Sequence, residues 1–477
     1  MASPVFNFIF KFLERAGSQF ISIIVTIVLA RLLEVSDFGA IEIVTVIVSI
    51  CQIFVQSGLN TALIQKKDAT QQDFSVTFYV NTAIAAFLYI ILFVLSPVIE
   101  DFYAIEGLKS YIRVTGLVLL PCSMMSIQYA LLAKSFQFSK QMICSVISMV
   151  LGAIVGIVMA YNGYGIWSFV AYQIVTYWSS PFIALIVVKW LPSRVDTFKR
   201  IVPLFKFGIR ILIASFIDNI YNDITSLIIG KKFTPSQLAL YGKGKQFPQA
   251  LITSVNGSIQ SVAFPYLAKH QDSKHEMKDR LSGLIKMSSF IVFPIMFGLI
   301  ACAKPFVLTI LTEKWIEAVP YIQLMCVVFV AWPIFTANAW VLNAIGRSDL
   351  YLKTEIIKKV INLASLILCV VLFDSISAII IGQIVVIPIN VAINMVVNKR
   401  IIGYSVKELL SDIVYPLLFS IIMGAIVYQF QNLSNFYIAL IVQLLVGVVV
   451  YLVINVVSNN CNYRLFEGLI KDALRKK

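Results

Sequence analysis

The 477-residue chain is 59% hydrophobic and only 13% charged, with a mean hydropathy of +0.89. Soluble globular proteins carry about 25% charged residues, so this composition excludes an ordinary soluble protein. A formal net charge of +14 would suggest nucleic acid as the partner of a soluble chain. In a chain this apolar, basic loops that set membrane topology and contact anionic lipid explain the charge, and we predict no nucleic-acid partner.

Apolar runs of about 20 residues, the length that a helix needs to cross a bilayer, recur along the chain. The sequence therefore predicts an all-α polytopic membrane protein with about 14 transmembrane helices. The expected spans lie near residues 12–33, 40–64, 75–99, 111–133, 141–161, 164–190, 204–230, 243–267, 283–309, 318–345, 350–373, 375–398, 409–430 and 435–457.

Lysine and arginine residues are unevenly distributed over the loops that join these spans. With the N-terminus in the cytoplasm, roughly 28 basic residues fall on the cytoplasmic side and roughly 9 on the outer side. This bias predicts that both termini are cytoplasmic. The tail at 459–477 is basic and amphipathic, so it either lies on the inner leaflet or is an ordinary solvated tail.

Polar positions on paired spans share a register at an offset of about 200 residues, which indicates an internal repeat. Gln19 on the first span corresponds to Asn219 on the seventh, and Gln56 on the second corresponds to Asn256 on the eighth. Six spans per unit is an even number, so the repeat is parallel. We predict two six-helix lobes with a path between them, at 1–195 and 196–402, then two additional C-terminal helices (403–458) and the tail.

The seventh span, LFKFGIRILIASFIDNIYNDITSLIIGKK, carries acidic residues inside a run long enough to cross a bilayer. Its polar residues repeat at helical spacing and predict one stripe, formed by Ser215, Asp218, Asn219, Asn222, Asp223 and Ser226. A carboxylate that faces lipid costs several kilocalories, so a charged residue within a span usually faces a wet cavity or a partner. The stripe therefore predicts a polar path through the membrane.

Amide side chains form similar stripes on the second and eighth spans. Amides and hydroxyls with few charges suit a surface that makes many weak contacts with sugar hydroxyls. The stripes therefore predict a cavity that binds a glycan. The alternative is that these side chains hydrogen-bond helix to helix, at about 0.6–2 kcal/mol each. The expected glycan contacts are Gln19, Gln52, Gln56, Asn60, Asn219, Asn222, Gln249, Asn256 and Gln260.

Basic residues near the span ends are candidates for binding an anionic headgroup. Arg210 lies within two turns of the cytoplasmic end of the seventh span, so its guanidinium can reach a phosphate at headgroup level. A second set, at the outer ends, could receive the same group: Arg31, Lys231, Lys243 and Lys245. The alternative is snorkelling to lipid phosphates.

Carboxylates deep in the spans could couple transport to an ion gradient, because a mid-membrane carboxylate beside amides can take Na⁺ or a proton. The candidates are Asp218, Asp223, Glu355, Asn362 and Gln383. The alternative is a structural pair with a basic residue on another helix. The sequence has no Walker loop, no nucleophile elbow and no metal-binding spacing of its two histidines, so we expect no enzyme activity, cofactor or metal.

Several segments together resemble the Wzx-type polysaccharide transporter family of the MATE/MOP superfamily, near its colanic-acid and teichuronic-acid exporters. These are LARLLEVSDFGA, SGLNTALIQKKDATQQDFS, LLAKSFQFSK, DITSLIIGKKFTPSQLALYGKGKQFP, VAFPYLAKHQD, TEKWIEAVP and NAIGRSD. The resemblance implies a flippase that moves undecaprenyl-diphosphate-linked oligosaccharide across the bacterial inner membrane, with spans one, two, seven and eight lining its cavity. A polysaccharide polymerase and a chain-length regulator are possible partners.

Two other functions compete with the flippase interpretation. A MATE-type antiporter for organic cations would share the fold, but its cavity should be aromatic and acidic rather than amide-rich with basic borders. A membrane-embedded glycan polymerase or ligase would need a sizeable outer loop or clustered catalytic groups, and no outer loop here exceeds about 15 residues.

Overall fold

A computed structural model describes residues 4–56, 58–198, 201–268, 273–433, 435–460 and 462–464. Within these residues the regular structure is helical and no strand occurs. The helices are α1 (Pro4–Leu32), α2 (Val35–Gln56), α3 (Leu59–Gln65), α4 (Gln71–Tyr103), α5 (Leu108–Gly116), α6 (Leu119–Lys134), α7 (Phe138–Tyr161), α8 (Ile166–Val188), α9 (Ile201–Lys232), α10 (Pro235–Ala268), α11 (Lys274–Ile310), α12 (Val319–Val330), α13 (Trp332–Ala344), α14 (Ser348–Leu372), α15 (Ile376–Ile402), α16 (Val406–Tyr428) and α17 (Phe436–Ser458). Short 3₁₀ segments occupy Glu313–Ala318 and Gln429–Asn432.

Every expected span falls on one helix or on two consecutive helices. Ten helical segments of the described chain are long and apolar enough to cross a membrane, which confirms a multi-pass helical membrane protein. The expected spans on α1, α9, α10 and α14 are not among these ten. On α9 and α14 the charged residues that we singled out lower the hydropathy, and the count of 14 spans stays a prediction.

The second expected span is interrupted, because α2 ends at Gln56 and α3 begins at Leu59. Gly58 has a φ of +79°, a left-handed conformation that glycine adopts without a steric cost. Its backbone also lies against Gly208 of α9, where a Cβ built on Gly58 would lie 2.5 Å from the carbonyl oxygen of Gly208. A side chain at this position would therefore clash as well as strain the turn.

Pro97 interrupts the backbone hydrogen bonding of α4, and side chains bond the carbonyl group that is left without a helical donor. Proline has no N–H, so the carbonyl of Phe93, one turn earlier, lacks its helical donor. Ser96 Oγ donates to that carbonyl at 2.9 Å, and Arg113 Nε and Nη2 donate to it at 3.3 Å. The Arg113 guanidinium also lies 4.0 Å from the centre of the Phe93 ring.

Two turns recur along the chain with the same backbone hydrogen bonds. Leu33 N–H donates to the carbonyl of Leu29 at 2.8 Å, and Phe233 N–H donates to that of Ile229, 200 positions later, at the same distance. The turns at Leu131–Gln137 and Val341–Arg347, 210 positions apart, each close with three corresponding hydrogen bonds. The local geometry is therefore repeated where the sequence register predicts a repeat.

The chain divides into two compact units, which we call the N-terminal unit (Met1–Ala239) and the C-terminal unit (Leu240–Lys477). In the N-terminal unit α7 packs closely on α8. Small residues make this possible, since a Cβ on Gly152 would lie 2.0 Å from Thr176 Oγ1 and one on Gly156 2.8 Å from Tyr172 Cβ. The expected lobe boundary at 195/196 stays a prediction.

The segment between α8 and α9 is held on the first turns of α4. Gln71 Nε2 donates to the carbonyl of Leu191 at 2.8 Å, and Trp190 Nε1 donates to Gln71 Oε1 at 2.6 Å. The Trp190 ring is buried in a cluster that also contains Phe74 and Leu204. This cluster fixes the start of α9 in the N-terminal unit.

In the C-terminal unit α11 packs against α16 and α17. Lys286 Nζ lies 3.2 Å from Asp412 Oδ1, and the Tyr404 hydroxyl group donates to Asp412 Oδ2 at 2.7 Å. Burial, followed by the hydrogen bond to the Asp412 carboxylate, raises the pKa of Tyr404. The ion pair joins α16 to α11, and the Tyr404 hydroxyl group holds the Asp412 carboxylate.

Candidate functional site

One face of α9 packs along α2 over most of its length. A Cβ on Gly208 would lie 2.7 Å from the carbonyl carbon of Gly58, and the rings of Phe54 and Phe216 are 5.0 Å apart. Further along α9, Ser226 Oγ donates to Glu42 Oε1 at 3.0 Å. This face is therefore structural.

Exposed positions of α9 carry several of its charged residues. Lys206, Arg210, Asp218 and Asn222 are exposed. They are separated by multiples of four, so they lie on one row that winds around the helix by about 40° for every four residues. Asn219 and Asp223, on the flank, are half-buried, and Asn219 Nδ2 donates to the carbonyl of Ser215 on its own helix at 2.8 Å. We call Lys206, Arg210, Asp218 and Asn222 the α9 polar stripe.

The expected amide stripe on the second span makes contacts with neighbouring helices. Gln56 Nε2 donates to Cys122 Sγ on α6 at 2.8 Å, and Asn60 Oδ1 accepts from Asn81 Nδ2 on α4 at 3.3 Å. Gln52 Oε1 lies 3.5 Å from the Tyr177 hydroxyl group on α8. These are the contacts that helix-to-helix hydrogen bonding would make, and sugar binding by these three residues stays a prediction.

The expected residues on α10 lie in the C-terminal unit. Lys243 is buried, with its Nζ 3.0 Å from Gln246 Oε1 and 5.9 Å from the centre of the Trp315 ring. Lys245, Gln249 and Asn256 are half-buried. The side chain of Gln260 lies outside the described residues.

The other expected contacts of the N-terminal unit lie on exposed surface. Gln19 and Arg31 are exposed on α1. Lys231, at the end of α9, donates to the carbonyl of Phe102 and lies 4.4 Å from the centre of that ring. Lys231 therefore joins the ends of α9 and α4.

The expected ion-coupling residues are found in both units. In the C-terminal unit Glu355 pairs with Lys358 on the same helix, and Asn390 Nδ2 on α15 donates to Asn362 Oδ1 on α14 at 3.0 Å. Gln383 is half-buried on α15. Across the described residues, no group of three or more His, Cys, Asp or Glu side chains could hold a metal ion.

Two residues that the structure makes prominent did not enter the sequence analysis. Glu42 is the acceptor for Ser226, and Lys358 is buried beside Glu355 with its Nζ 5.6 Å from the centre of the Phe335 ring. Glu42 is the only charged residue between Asp37 and Lys66, which is a signal that the sequence offered. Nothing in the sequence distinguished the buried Lys358 from its neighbour Lys359.

The chain matches the family described as "Polysaccharide biosynthesis protein" over residues 28–320. It is 26% identical to the teichuronic acid biosynthesis protein TuaB of Bacillus subtilis (strain 168) over 306 residues, which cover 63% of this chain and 62% of that protein. The chain thus spans less than two thirds of the length of this relative.

Solved structures share the fold at low sequence identity. The lipid II flippase MurJ, in an inward closed conformation, superposes with a TM-score of 0.73 at 15% identity and covers 94% of this chain and 97% of its own. An inward-facing multidrug resistance MATE family transporter of the MOP superfamily gives 0.63 at 14% identity, covering 80% and 95%. The chain therefore shares the fold of these two proteins.

Proposed function

Because the chain belongs to the polysaccharide biosynthesis protein family, we propose that it flips undecaprenyl-diphosphate-linked oligosaccharide across the bacterial inner membrane. It does so by alternating access and supplies repeat units for O-antigen, capsule or exopolysaccharide. The observation that carries this proposal is the α9 polar stripe, where Arg210 and Lys206 are exposed one turn apart at the end of an otherwise apolar helix.

The chemistry of the stripe fits a charged headgroup attached to a polar glycan. A guanidinium can donate two parallel hydrogen bonds to a phosphate, so Arg210 binds the diphosphate near the start of α9. Asn222, with Gln19 on α1, offers amide donors and acceptors that match sugar hydroxyls. Arg31, Lys231, Lys243 and Lys245 receive the diphosphate at the other leaflet.

The proposed architecture has about 14 spans, with lobes at 1–195 and 196–402, added helices at 403–458 and a tail at 459–477. The turns that recur 200 and 210 positions apart support the parallel repeat. The excess of basic residues in alternate loops supports cytoplasmic termini. A polysaccharide polymerase and a chain-length regulator are the partners that would use the flipped substrate.

Asp218 and Asp223 are the proposed coupling residues of the N-terminal unit, and Glu355, Asn362 and Gln383 are those of the C-terminal unit, for Na⁺ or a proton. The exposure of Asp218 on α9 gives a cation access to its carboxylate. In proteoliposomes, Asp218→Asn should flip substrate at a rate that no longer responds to a Na⁺ or proton gradient. A variant that keeps the full gradient dependence would exclude Asp218 as the coupling residue.

The alternative function is a cation-coupled multidrug antiporter, which the shared fold with the MATE transporter also accommodates. The basic residues of the stripe favour an anionic substrate over an organic cation. Deletion of the gene, followed by analysis of surface glycans and lipid-linked intermediates, separates the two functions. A flippase deletion loses one glycan and accumulates its lipid-linked repeat unit, whereas changed drug sensitivity with normal glycans would support the antiporter.

A further inference from the structure

The end of α4 and the start of α5 meet around one arginine, Arg113. The segments Gln71–Tyr103 and Leu108–Lys134 are both long and apolar enough to cross a membrane, and residues 104–107 join them. Arg113 follows the start of the second segment by about 8 Å along the helix axis. It therefore lies close to one surface of the bilayer, which the loop charges predict to be the outer surface.

Aromatic side chains near Arg113 agree with a position at the membrane interface. The rings of Tyr111 on α5 and Trp167 at the start of α8 are 5.2 Å apart in a T-shaped arrangement. Tyr161, at the end of α7, and Tyr164, in the turn that follows, are exposed. Tyrosine and tryptophan are enriched where the hydrocarbon of a bilayer meets its headgroups, so Arg113 lies near the depth of lipid phosphate groups.

The guanidinium group of Arg113 is at the edge of an apolar surface. It lies 4.0 Å from the centre of the Phe93 ring, and Phe93 is 43% exposed. Ile90, Val94 and Val98 of α4 are also exposed and follow one another at intervals of one helical turn. An exposed apolar face on a membrane-crossing helix suits contact with lipid tails. A lipid with its tails on this face would bring its headgroup close to Arg113.

The charge of Arg113 has no acidic partner among the described residues. Arg113 Nε donates to Ser96 Oγ at 2.8 Å, and Nε and Nη2 donate to the carbonyl of Phe93 at 3.3 Å. Both acceptors are neutral, and Nη1 donates to no described residue. A guanidinium near the hydrocarbon region is costly without a counter-charge. Its remaining N–H groups can donate two parallel hydrogen bonds to a phosphate.

The neighbouring basic residue on the same face of α5 differs from Arg113 because it has an acidic partner. Lys109 Nζ lies 3.9 Å from Glu100 Oε1, and the backbone N–H of Lys109 donates to Glu100 Oε2 at 2.6 Å. The charges of Lys109 and Glu100 therefore compensate each other. Asp101 and Glu106 are exposed next to the connection between the helices, where water screens them.

We propose that Arg113 binds the phosphate group of a lipid whose tails lie on the exposed apolar face of α4. Two lipids offer this chemistry, a membrane phospholipid and the polyprenyl diphosphate carrier of the proposed function. Only the carrier depends on the proposed function. In both cases the site is separate from the α9 polar stripe, and Ser96 and Phe93 hold the guanidinium in place.

The test measures lipid binding to the purified full-length protein by native mass spectrometry. The probes are phosphatidylglycerol, undecaprenyl diphosphate and diacylglycerol, which has the tails of the phospholipid but no phosphate. An Arg210→Ala background removes the diphosphate site proposed on α9. In this background we compare Arg113→Gln, which removes the charge and keeps an amide donor, with Lys109→Gln, one turn earlier on the same helix.

Arg113→Gln should weaken the binding of phosphatidylglycerol, undecaprenyl diphosphate or both about tenfold, because one charge-assisted pair with two hydrogen bonds is lost. Diacylglycerol should bind this variant as before, and Lys109→Gln should bind all three probes as the background does. A loss for phosphatidylglycerol identifies a phospholipid site, and a loss for undecaprenyl diphosphate alone identifies a carrier site. Unchanged affinity for both phosphate lipids, or an equal loss for diacylglycerol, would overturn the proposal.

Arg113→Lys keeps the test decisive if Arg113→Gln fails to fold. Lysine keeps the positive charge but cannot donate two parallel hydrogen bonds, so binding of the phosphate lipid should fall about threefold. Unchanged binding in this variant would then contradict the proposed site. Phosphatidylglycerol binding requires no flipping, so its result stands apart from the outcome for the transport function.

Discussion

Helices α2 and α9 pack along each other and both carry polar side chains, but they use those side chains differently. Gln56 on α2 and Asn60 on the following α3 are hydrogen-bonded to other helices of the same unit. On α9, Arg210 and Asp218 are exposed. Two polar patterns that look alike in the sequence therefore differ in burial.

The difference follows from the apolar bilayer that surrounds the helices. In an apolar bilayer an amide can be satisfied by another helix at little cost, so amides suit the joints between spans. A guanidinium and a carboxylate each need water, a counter-charge or a ligand, so charged residues within a span are costly to retain. The proposed transport path is therefore assigned to the α9 polar stripe rather than to the α2 amides.

Replacing Arg210 should have the largest effect on function, because it removes the group proposed to bind the diphosphate. We expect Arg210→Ala to lower glycan export about 100-fold at an unchanged protein level, with Arg210→Lys intermediate because a lysine cannot bind a phosphate with two hydrogen bonds. Export is measured as surface polysaccharide per cell. The control is Arg400→Ala, which replaces an exposed arginine outside the stripe. Equal losses of export in both variants would contradict the proposal that Arg210 binds the diphosphate.

The close contact of α9 with the break between α2 and α3 can be disrupted at Gly208. In Gly208→Val the added side chain meets the backbone of Gly58, so we expect a loss of about 2–3 kcal/mol in the free energy of unfolding. Thermal unfolding of the purified protein measures this loss. Gly298→Ala, where a Cβ makes only an ordinary contact 3.7 Å from Met423 Cε, should be close to wild type. Equal melting temperatures would mean that α2 and α9 are not held together at Gly58.

The reactivity of introduced cysteines compares directly how accessible the two helices are to water. In a cysteine-free background, Asn222→Cys should react with a water-soluble thiol reagent about tenfold faster than Gln56→Cys, because position 222 is exposed and position 56 is half-buried. Rates are followed by mass increase in membranes. Equal, fast labelling of both positions would show that the α2 amides also face the cavity, as the sequence pattern predicted.

The smallest effect is expected for the α2 amides themselves. Gln56→Leu removes one hydrogen bond, to a cysteine sulfur, so stability should fall by about 1 kcal/mol and export should change less than twofold. A chemical denaturation series and the export assay measure the two quantities. A large loss of export with unchanged stability would assign Gln56 to the substrate path instead.

The positions of the helices followed well from the sequence, because a run long enough to cross a bilayer leaves the backbone few alternatives to a helix. The turns at Leu33 and Phe233 also occur where the repeat register placed them. The break at Gly58 was not predicted, since it depends on the approach of Gly208 from a distant part of the chain.

The candidate site was predictable only in part. Helical spacing grouped Asp218, Asn222 and Ser226 in one stripe. Asp218 and Asn222 are exposed, whereas Ser226 is buried against Glu42. Periodicity says which residues share a face of a helix and not which neighbour that face meets. The role of Glu42 as the acceptor for Ser226 depends on helix packing, which the sequence alone does not give.

The central claim is that this chain moves a lipid-linked oligosaccharide and uses the α9 polar stripe to do so. The direct measurement reconstitutes the protein in liposomes that contain undecaprenyl-diphosphate-linked oligosaccharide and follows glycan exposure with an added glycosidase. Wild-type protein should make substrate from the inner leaflet accessible, and Arg210→Ala should do so about 100-fold more slowly. Glycan accessibility no greater than in protein-free liposomes, or equal rates for the two proteins, would contradict the account.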